Sequence, residues 1–425
     1  MNTRQKLALL AALYMAQGLP YGFFTQALPV LLRERGLSLE AIGLTSLLAL
    51  PWALKFVWAP AVDRLGSRRG WILGTQAAGA AALLALAAVD PTAGLTPLLA
   101  GVFIVNALAA TQDIATDGLA VRLLGAAERG LGNGVQVAGY RVGMMLGGGA
   151  LLVAAAALGW SGIFIAMAAL VALSSLPLWR ADPTALRAAS AATATPGPGA
   201  SLSTGVGARP DPAPPAARLS AGWLALLLAF KAGDALAQGM LRPWLVDRGL
   251  GLSEIGALVG GVGFGAGLAG ALVGGALMSW GRRAGHPEAW LLAAAGGLQA
   301  LSLGGYALVA AGDGAGLVAA CGFEHFAGGV ATAALFTCMM DRCRPAQAST
   351  DYTIQASVVV IASGAAAAAS GALAAAVGWV WFFRIAAALG LLGALAAAAW
   401  AIHQGRTARR AVRRANIEPE VLSCT

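Results

Sequence analysis

The chain has 425 residues, of which 58% are hydrophobic and 11% charged, with a net charge of +9. Soluble domains carry about 25% charged residues, so this composition excludes a soluble enzyme or binding module and indicates an integral membrane protein. The four cysteines, Cys321, Cys338, Cys343 and Cys424, share no metal-ligand spacing, and no nucleophilic triad or phosphate loop stands out, so no cofactor, metal or enzymatic chemistry is expected.

A helical span needs about 20 apolar residues. Twelve segments meet this: 7–32, 39–61, 71–89, 95–121, 131–157, 161–179, 221–245, 253–280, 289–310, 315–340, 352–377 and 380–402. The first runs past Val30 with no cleavage site, so it reads as a retained span rather than a signal peptide. Within it, Gly18-Leu19-Pro20-Tyr21-Gly22 combines a helix breaker with flanking glycines, and backbone unwound at that depth is tolerated where it lines a cavity. Between the second and third spans, Asp63, Arg64, Arg68 and Arg69 form a short charged turn able to pair across helix ends and latch one conformation. The matching turn after the eighth span keeps Gly281-Arg282-Arg283 but has Ser279 and Trp280 where an acid is expected, so the latch is expected mainly on the first half.

Ionisable groups inside spans are costly and default to functional hypotheses. Arg141, Lys231 and Glu324 each lie about ten residues into a span, which places them roughly 15 Å deep, at the midplane. Asp113 lies at a similar depth, and Asp234 follows Lys231 by one helical turn. Asp113 and Asp117 share a helix face and read either as a carboxylate pair holding one proton or as partners of Arg141 or Arg122. Glu324-His325 offers a second proton acceptor. Lys55 and Arg384, nearer span ends, read as snorkelling groups. The glycine clusters Gly147-Gly148-Gly149 and Gly260-Gly261 read as close helix packing.

The chain is organised as two halves. Arg35-Gly36-Leu37 to Gly43 returns as Arg248-Gly249-Leu250 to Gly256, and Gly159-Trp160 with Phe164 returns as Gly378-Trp379 with Phe383. Both offsets are near half the length, as expected of a parallel duplication. Residues 1–179 and 220–402 therefore each form a six-helix bundle. Residues 180–219, rich in Ala, Pro, Ser and Gly, form a flexible linker, and 403–425 a basic tail. With the N-terminus inside, twenty Lys and Arg fall on the cytoplasmic side against three (Arg33, Arg35 and Arg248) outside, so both termini and the linker are expected in the cytoplasm. The basic tail reads as a lipid-headgroup contact, with no nucleic-acid role.

Six spans, a cytoplasmic linker and six more resemble the major facilitator fold. Asp63-Arg64-Leu65-Gly66-Ser67-Arg68-Arg69 is similar to that superfamily's Gly-x-x-x-Asp-Arg-x-Gly-Arg-Arg signature, departing by Ala59 and the inserted Ser67. Gln112-Asp113-Ile114 with Asp117, Lys231-Ala232-Gly233-Asp234 and Phe323-Glu324 with Gly328-Gly329 resemble the AmpG-related branch, which holds muropeptide permeases and acetyl-coenzyme A transporters. Phe23-Phe24-Thr25-Gln26, Glu324-His325-Phe326 and Asp351-Tyr352-Thr353-Ile354-Gln355 are most similar to the RhtX/FptX group of siderophore permeases. Permeases of the AmpG type usually carry two further spans that this chain lacks, which ranks the muropeptide reading second.

The resemblance implies a monomeric, proton-coupled importer of an iron–siderophore in a bacterial inner membrane, working by alternating access. Arg141 and Lys231 would attract an anionic ligand, with Gln17, Tyr21, Gln26, Gln136 and Gln355 supplying neutral hydrogen bonds. Asp113, Asp117, Asp234, Glu324 and His325 would compete for the proton. A membrane sensor that binds without transporting is the reading from another class.

Overall fold

In the computed structural model, residues 1–29, 32, 45–89, 95–184, 186, 219–312 and 314–422 are described. Most of the expected linker 180–219, the first copy of the repeated segment and the outer arginines Arg33 and Arg35 lie outside the described residues. The described chain is helical throughout and contains no strand. Helix α1 (Thr3–Gly22) opens with a reciprocal cap: Asn2 Oδ1 accepts from the Gln5 amide at 2.9 Å, and Gln5 Oε1 accepts from the Asn2 amide at 3.0 Å. The second span is fragmented into α2 (Leu50–Leu54), a tight turn at Lys55–Val57 and α3 (Ala59–Arg64). Then follow α4 (Arg68–Ala87), α5 (Leu95–Leu123), α6 (Arg129–Met145), α7 (Leu151–Ser174) and α8 (Leu176–Arg180). The second half comprises α9 (Ala221–Phe230), α10 (Ala232–Asp247), α11 (Leu252–Ile255), α12 (Phe264–Arg283), α13 (Glu288–Ala311), α14 (Leu317–Met340) and α15 (Ala348–Leu422).

Among the described residues, nine segments are long and apolar enough to cross a membrane. The last of these, Pro345–Thr407, is 63 residues long and holds two of the twelve expected spans, divided at Gly378. The expected second span survives as the shorter apolar stretch Leu47–Val57. The expected fifth is helical but carries Arg129, Asn133, Gln136 and Arg141.

The Gly-Trp repeat has a structural counterpart. Gly159 (φ 64°, ψ −176°) and Gly378 (φ 73°, ψ 164°) break the helix in the same left-handed conformation, which favours glycine because a Cβ would clash. Two other expectations change. The chain does not unwind at Gly18-Leu19-Pro20. Helix α1 continues through Pro20, and the irregularity falls just beyond it as wide turns over Phe23–Ala27. Of the glycine clusters, Gly147 packs against the Leu19 backbone, whereas Gly149, Gly260 and Gly261 have nothing within 4 Å of an added Cβ. Gly260 and Gly261 lie in the wide-turn segment Gly256–Gly263, on a side that no other helix covers.

Each half has its own apolar core, and one further cluster joins them, bringing Leu10, Tyr14 and Leu124 together with Trp223, Met339 and Tyr352. The halves close most tightly at the arginine-rich end, along two seams. In one, Asp63 accepts from the Thr350 amide and hydroxyl, both at 2.7 Å, and from the Ser349 amide at 3.2 Å, while pairing with Arg68. A carboxylate thus sits on the first turn of α15, where the helix dipole favours it. In the other, Ser279 Oγ accepts from the Leu131 amide in the first turn of α6 at 2.8 Å. Ser279 follows Asp63 by about half the chain, so a neutral hydroxyl occupies the acid's place. Beside it, Asp341 takes Arg129 across the halves at 2.7 Å and also pairs with Arg282. Of the expected latch residues, Asp63 and Arg68 are at the closure; Arg64 is exposed, and Arg69 reaches back to the Leu178 and Trp179 carbonyls of its own half.

Burial alone would raise the Asp341 carboxyl, but Arg129, a hydrogen bond from Glu288, and Arg282 hold it below its ordinary value of 3.8. A group depressed in the folded state contributes stability above its unfolded pKa and loses it only as pH falls through the lower folded value. Asp341 therefore stays charged over the physiological range, while burial and Asp341 raise the neighbouring Glu288 carboxyl to about 8. Spin labels at the exposed positions Leu65 and Gln347 should report one distance distribution from about pH 5 to 7, below the Glu288 value, and a broader, longer one in Asp63→Asn.

Candidate functional site

Between the two seams and the opposite end lie the intramembrane charges, in two groups. The first belongs to the N-terminal half. Asp113 on α5 forms a buried ion pair with Lys55. Asp117, one turn on, accepts from the Tyr14 hydroxyl at 2.8 Å and from Gln136 Nε2 at 3.4 Å. Gln136 Nε2 also reaches the Tyr352 hydroxyl of the other half at 3.3 Å. Asp113 thus pairs with neither Arg141 nor Arg122. Its partner is Lys55, which is only 3% exposed rather than snorkelling at a helix end. The cause is the fragmented second span. Lys55 opens a tight turn after α2, and Trp58 (φ −106°, ψ 0°) precedes α3, so a depth counted along a regular helix misplaces it. The two prolines that delimit these pieces, Pro51 and Pro60, are the sequence signal that could have revealed it.

The second group is built on α10, α13 and α14 and completed from the other half. Lys231 pairs with Asp234 and lies 3.3 Å from the Thr332 hydroxyl. Glu324 is fully buried; its Oε2 accepts from Gln238 Nε2 at 2.8 Å and from the Tyr306 hydroxyl at 3.5 Å, and lies 3.0 Å from His325 Nδ1. The same His325 nitrogen is 3.0 Å from the Cys321 carbonyl. Glu324 Oε1 has no donor and faces Asp234: a Cβ on Gly328 would lie 3.7 Å from that oxygen and 3.9 Å from Asp234 Oδ1. The two carboxyl groups are thus neighbours across α10 and α14. Arg141 of the N-terminal half lies against Gly267 of α12 and within electrostatic reach of both Asp234 and Glu324.

The neutral candidates divide. Gln17 is fully buried, and neither atom of its amide has a hydrogen-bond partner among the described residues. Tyr21 packs edge-on against Trp52 at 5.6 Å and tilted against Tyr140 at 5.8 Å. Gln26 is exposed at the wide turns and approaches Gly148. Gln355 is not brought to the site: its Oε1 takes Trp223 Nε1 at 2.7 Å, and its Nε2 donates to the Met339 and Asp351 carbonyls, which fixes it in the core of its own half. Sequence reasoning missed Lys55, Trp52 and Gln238. No grouping of three or more His, Cys, Asp or Glu side chains able to hold a metal occurs among the described residues.

A family model described as Major Facilitator Superfamily matches residues 10–367. The chain belongs to this superfamily. It is 32% identical over 398 residues to the anhydromuropeptide permease of Escherichia coli K12, covering 91% of this chain and 78% of that one. It is 24% identical over 391 residues to a Rickettsia conorii protein bearing the name AmpG 4, covering 89% of this chain and 92% of that one. Among solved structures, the human organic anion transporter MFSD10 superposes with a TM-score of 0.66 at 14% identity, covering 93% of this chain and all of that one. The Escherichia coli fucose:proton symporter FucP superposes with a TM-score of 0.61 at 13% identity, covering 93% and 97%. The all-helical transporter fold is thereby shown, and with it a multi-pass secondary transporter related to AmpG permeases.

Removing one member of a buried ion pair typically costs 3–5 kcal/mol, because the other is left unpaired. Lys55→Met should therefore lower the unfolding midpoint in detergent by about that energy, and adding Asp113→Asn should restore most of it. Independent losses that simply add would show that the two groups do not depend on each other.

Proposed function

We propose that the protein is a proton-coupled importer of muropeptides or closely related anionic cell-wall fragments. It would sit in a bacterial inner membrane with both termini and the arginine-rich end in the cytoplasm. The observation that carries the coupling is the placing of Asp234 beside Glu324, with Lys231, His325 and Arg141 around them from both halves. The substrate class rests on the relatedness to the anhydromuropeptide permease. None of the relatives reported above is named for siderophore transport, so the iron–siderophore expectation has no support from them.

In alternating access, two bundles rock about a site between them, and coupling requires one group whose proton and charge partners change with the swing. Arg141 is such a partner, because it sits on one half and faces acids on the other. With the acids sharing one proton, Arg141, Lys231 and His325 compete for a single negative charge. A ligand carboxylate would take over one of these cations. Loss of the proton restores the second negative charge and draws Arg141 back. Asp113 and Asp117, already matched by Lys55, Tyr14 and Gln136, then serve to hold α1, α2, α5 and α6 together.

Proteoliposomes with an inward proton gradient test this. Wild-type protein should accumulate an anhydro-muropeptide and release it when a protonophore is added. Glu324→Gln should lose accumulation by at least about tenfold yet keep muropeptide exchange across equal pH. Exchange lost together with accumulation would remove Glu324 from proton coupling. Uptake of an iron–siderophore in place of the muropeptide would overturn the substrate class, and Lys231→Met with normal transport would remove that residue from the mechanism.

A further inference from the structure

The two halves of the site differ in chemistry. In the C-terminal half the site is built mainly from charged groups, Lys231 with Asp234 and Glu324 with His325. In the N-terminal half, beside the Lys55–Asp113 pair, stands a cluster of aromatic rings with neutral polar atoms that have nothing to bind. Tyr21 on α1, Trp52 on α2 and Tyr140 on α6 meet three ways: Tyr21–Trp52 at 5.6 Å and 82°, Trp52–Tyr140 at 6.3 Å and 87°, and Tyr21–Tyr140 at 5.8 Å and 51°. Trp52 is only 6% exposed, yet its indole N–H has no acceptor. One turn before Tyr21, the buried Gln17 amide is unpartnered at both atoms. The hydroxyls of Tyr21 and Tyr140, both half-buried, make no hydrogen bond among the described residues. A buried donor or acceptor left unmet costs about 1–3 kcal/mol, and an unmet indole N–H within a three-ring cluster, with an unmet amide one turn away, marks a place built to be met from outside.

Rings edged by neutral donors and acceptors suit a ligand with an apolar face and a polar rim. A pyranose has that shape, with axial C–H bonds over its face and hydroxyl or acetamido groups around its edge. An ion would instead call for charged partners, and a purely apolar ligand would leave the indole and amide unmet. The next residue after Tyr140 is Arg141, which faces the acids of the other half. A solute with a sugar at one end and a carboxylate at the other would therefore bridge the two halves.

We propose that Tyr21, Trp52 and Tyr140, with Gln17, form a subsite for an amino-sugar ring. A muropeptide would then bind with its saccharide in the N-terminal half and its peptide carboxylates toward Arg141 and Lys231. This rests on the muropeptide reading and specifies its orientation. Trp52 supplies both ring face and N–H, so Trp52→Phe keeps the first and loses the second, while Trp52→Ala loses both.

The test measures muropeptide exchange in proteoliposomes, in competition with the peptide-free anhydro-disaccharide and with the free stem peptide. The disaccharide should inhibit wild-type exchange. In Trp52→Ala the muropeptide half-saturation constant should rise about tenfold, a loss near 1.4 kcal/mol, disaccharide inhibition should vanish, and inhibition by the stem peptide should persist. Trp52→Phe should fall between, and its intact unfolding midpoint controls for folding. The subsite is overturned if wild-type protein exchanges muropeptide but ignores the disaccharide, or if both Trp52 variants lower maximal rate alone. Wild-type protein that exchanges no muropeptide, yet binds the disaccharide with the same Trp52 dependence, would sink the substrate reading while leaving the subsite standing.

Discussion

A charge inside a bilayer has to find its partner inside the protein. That constraint organises the helices that the apolar residues merely permit. Hydropathy brings the spans into the membrane, but lipid is as apolar as leucine, so burial alone gives no reason for one helix to choose another. Here the choice is made by polar matching: Lys55 in the turn after α2 with Asp113 of α5, Tyr14 of α1 with Asp117, Gln238 of α10 and Tyr306 of α13 with Glu324 of α14. Glycines then let the matched helices approach. A Cβ on Gly18 of α1 would collide with the Tyr140 backbone of α6, so only glycine there lets Tyr21 and Tyr140 meet.

The same constraint separates a static bundle from a moving one. Pairs within one half, such as Lys55–Asp113, travel with that half and hold it rigid. Groups that face each other across the halves, Arg141 with Asp234 and Glu324, change surroundings whenever the halves move. The arginine-end clasp also crosses the halves, yet Asp341 within it is held below the ordinary carboxylate range by its arginines. Closure and coupling are carried by different side chains, which lets a proton change the balance at the centre without dissolving the seal at the end.

Much of the fold was legible because it follows from composition and repetition. The apolar segments, the two Gly-Trp pairs and the charged turn at Asp63 each have a structural counterpart. Counting along the helices also brought Arg141, Asp234 and Glu324 toward one another, since α6, α10 and α14 are regular where those residues sit, and Lys231 joins them from the break between α9 and α10. It failed for Lys55, whose helix is interrupted by prolines and a tight turn, so linear distance no longer measured depth. It failed differently for Gln355, where the depth was sound but nothing in the sequence shows that Trp223 and two carbonyls already occupy the amide. The partners of a neutral polar group come from tertiary packing, which an alanine- and glycine-rich sequence leaves unmarked. The expectation of unwinding at Gly18-Leu19-Pro20 missed for a related reason: neighbouring helices support a proline kink that would break an isolated helix.

The two seams of the clasp differ in one side chain at equivalent places, a carboxylate at Asp63 and a hydroxyl at Ser279. The seam between α6 and α12 nevertheless recovers a charge from a third place, because Asp341 takes Arg129 at the start of α6 across the halves. Neither seam rests on a neutral hydrogen bond alone. Separating the halves at this end therefore means giving up a carboxylate contact on both sides of the molecule, at the start of α15 and at the start of α6.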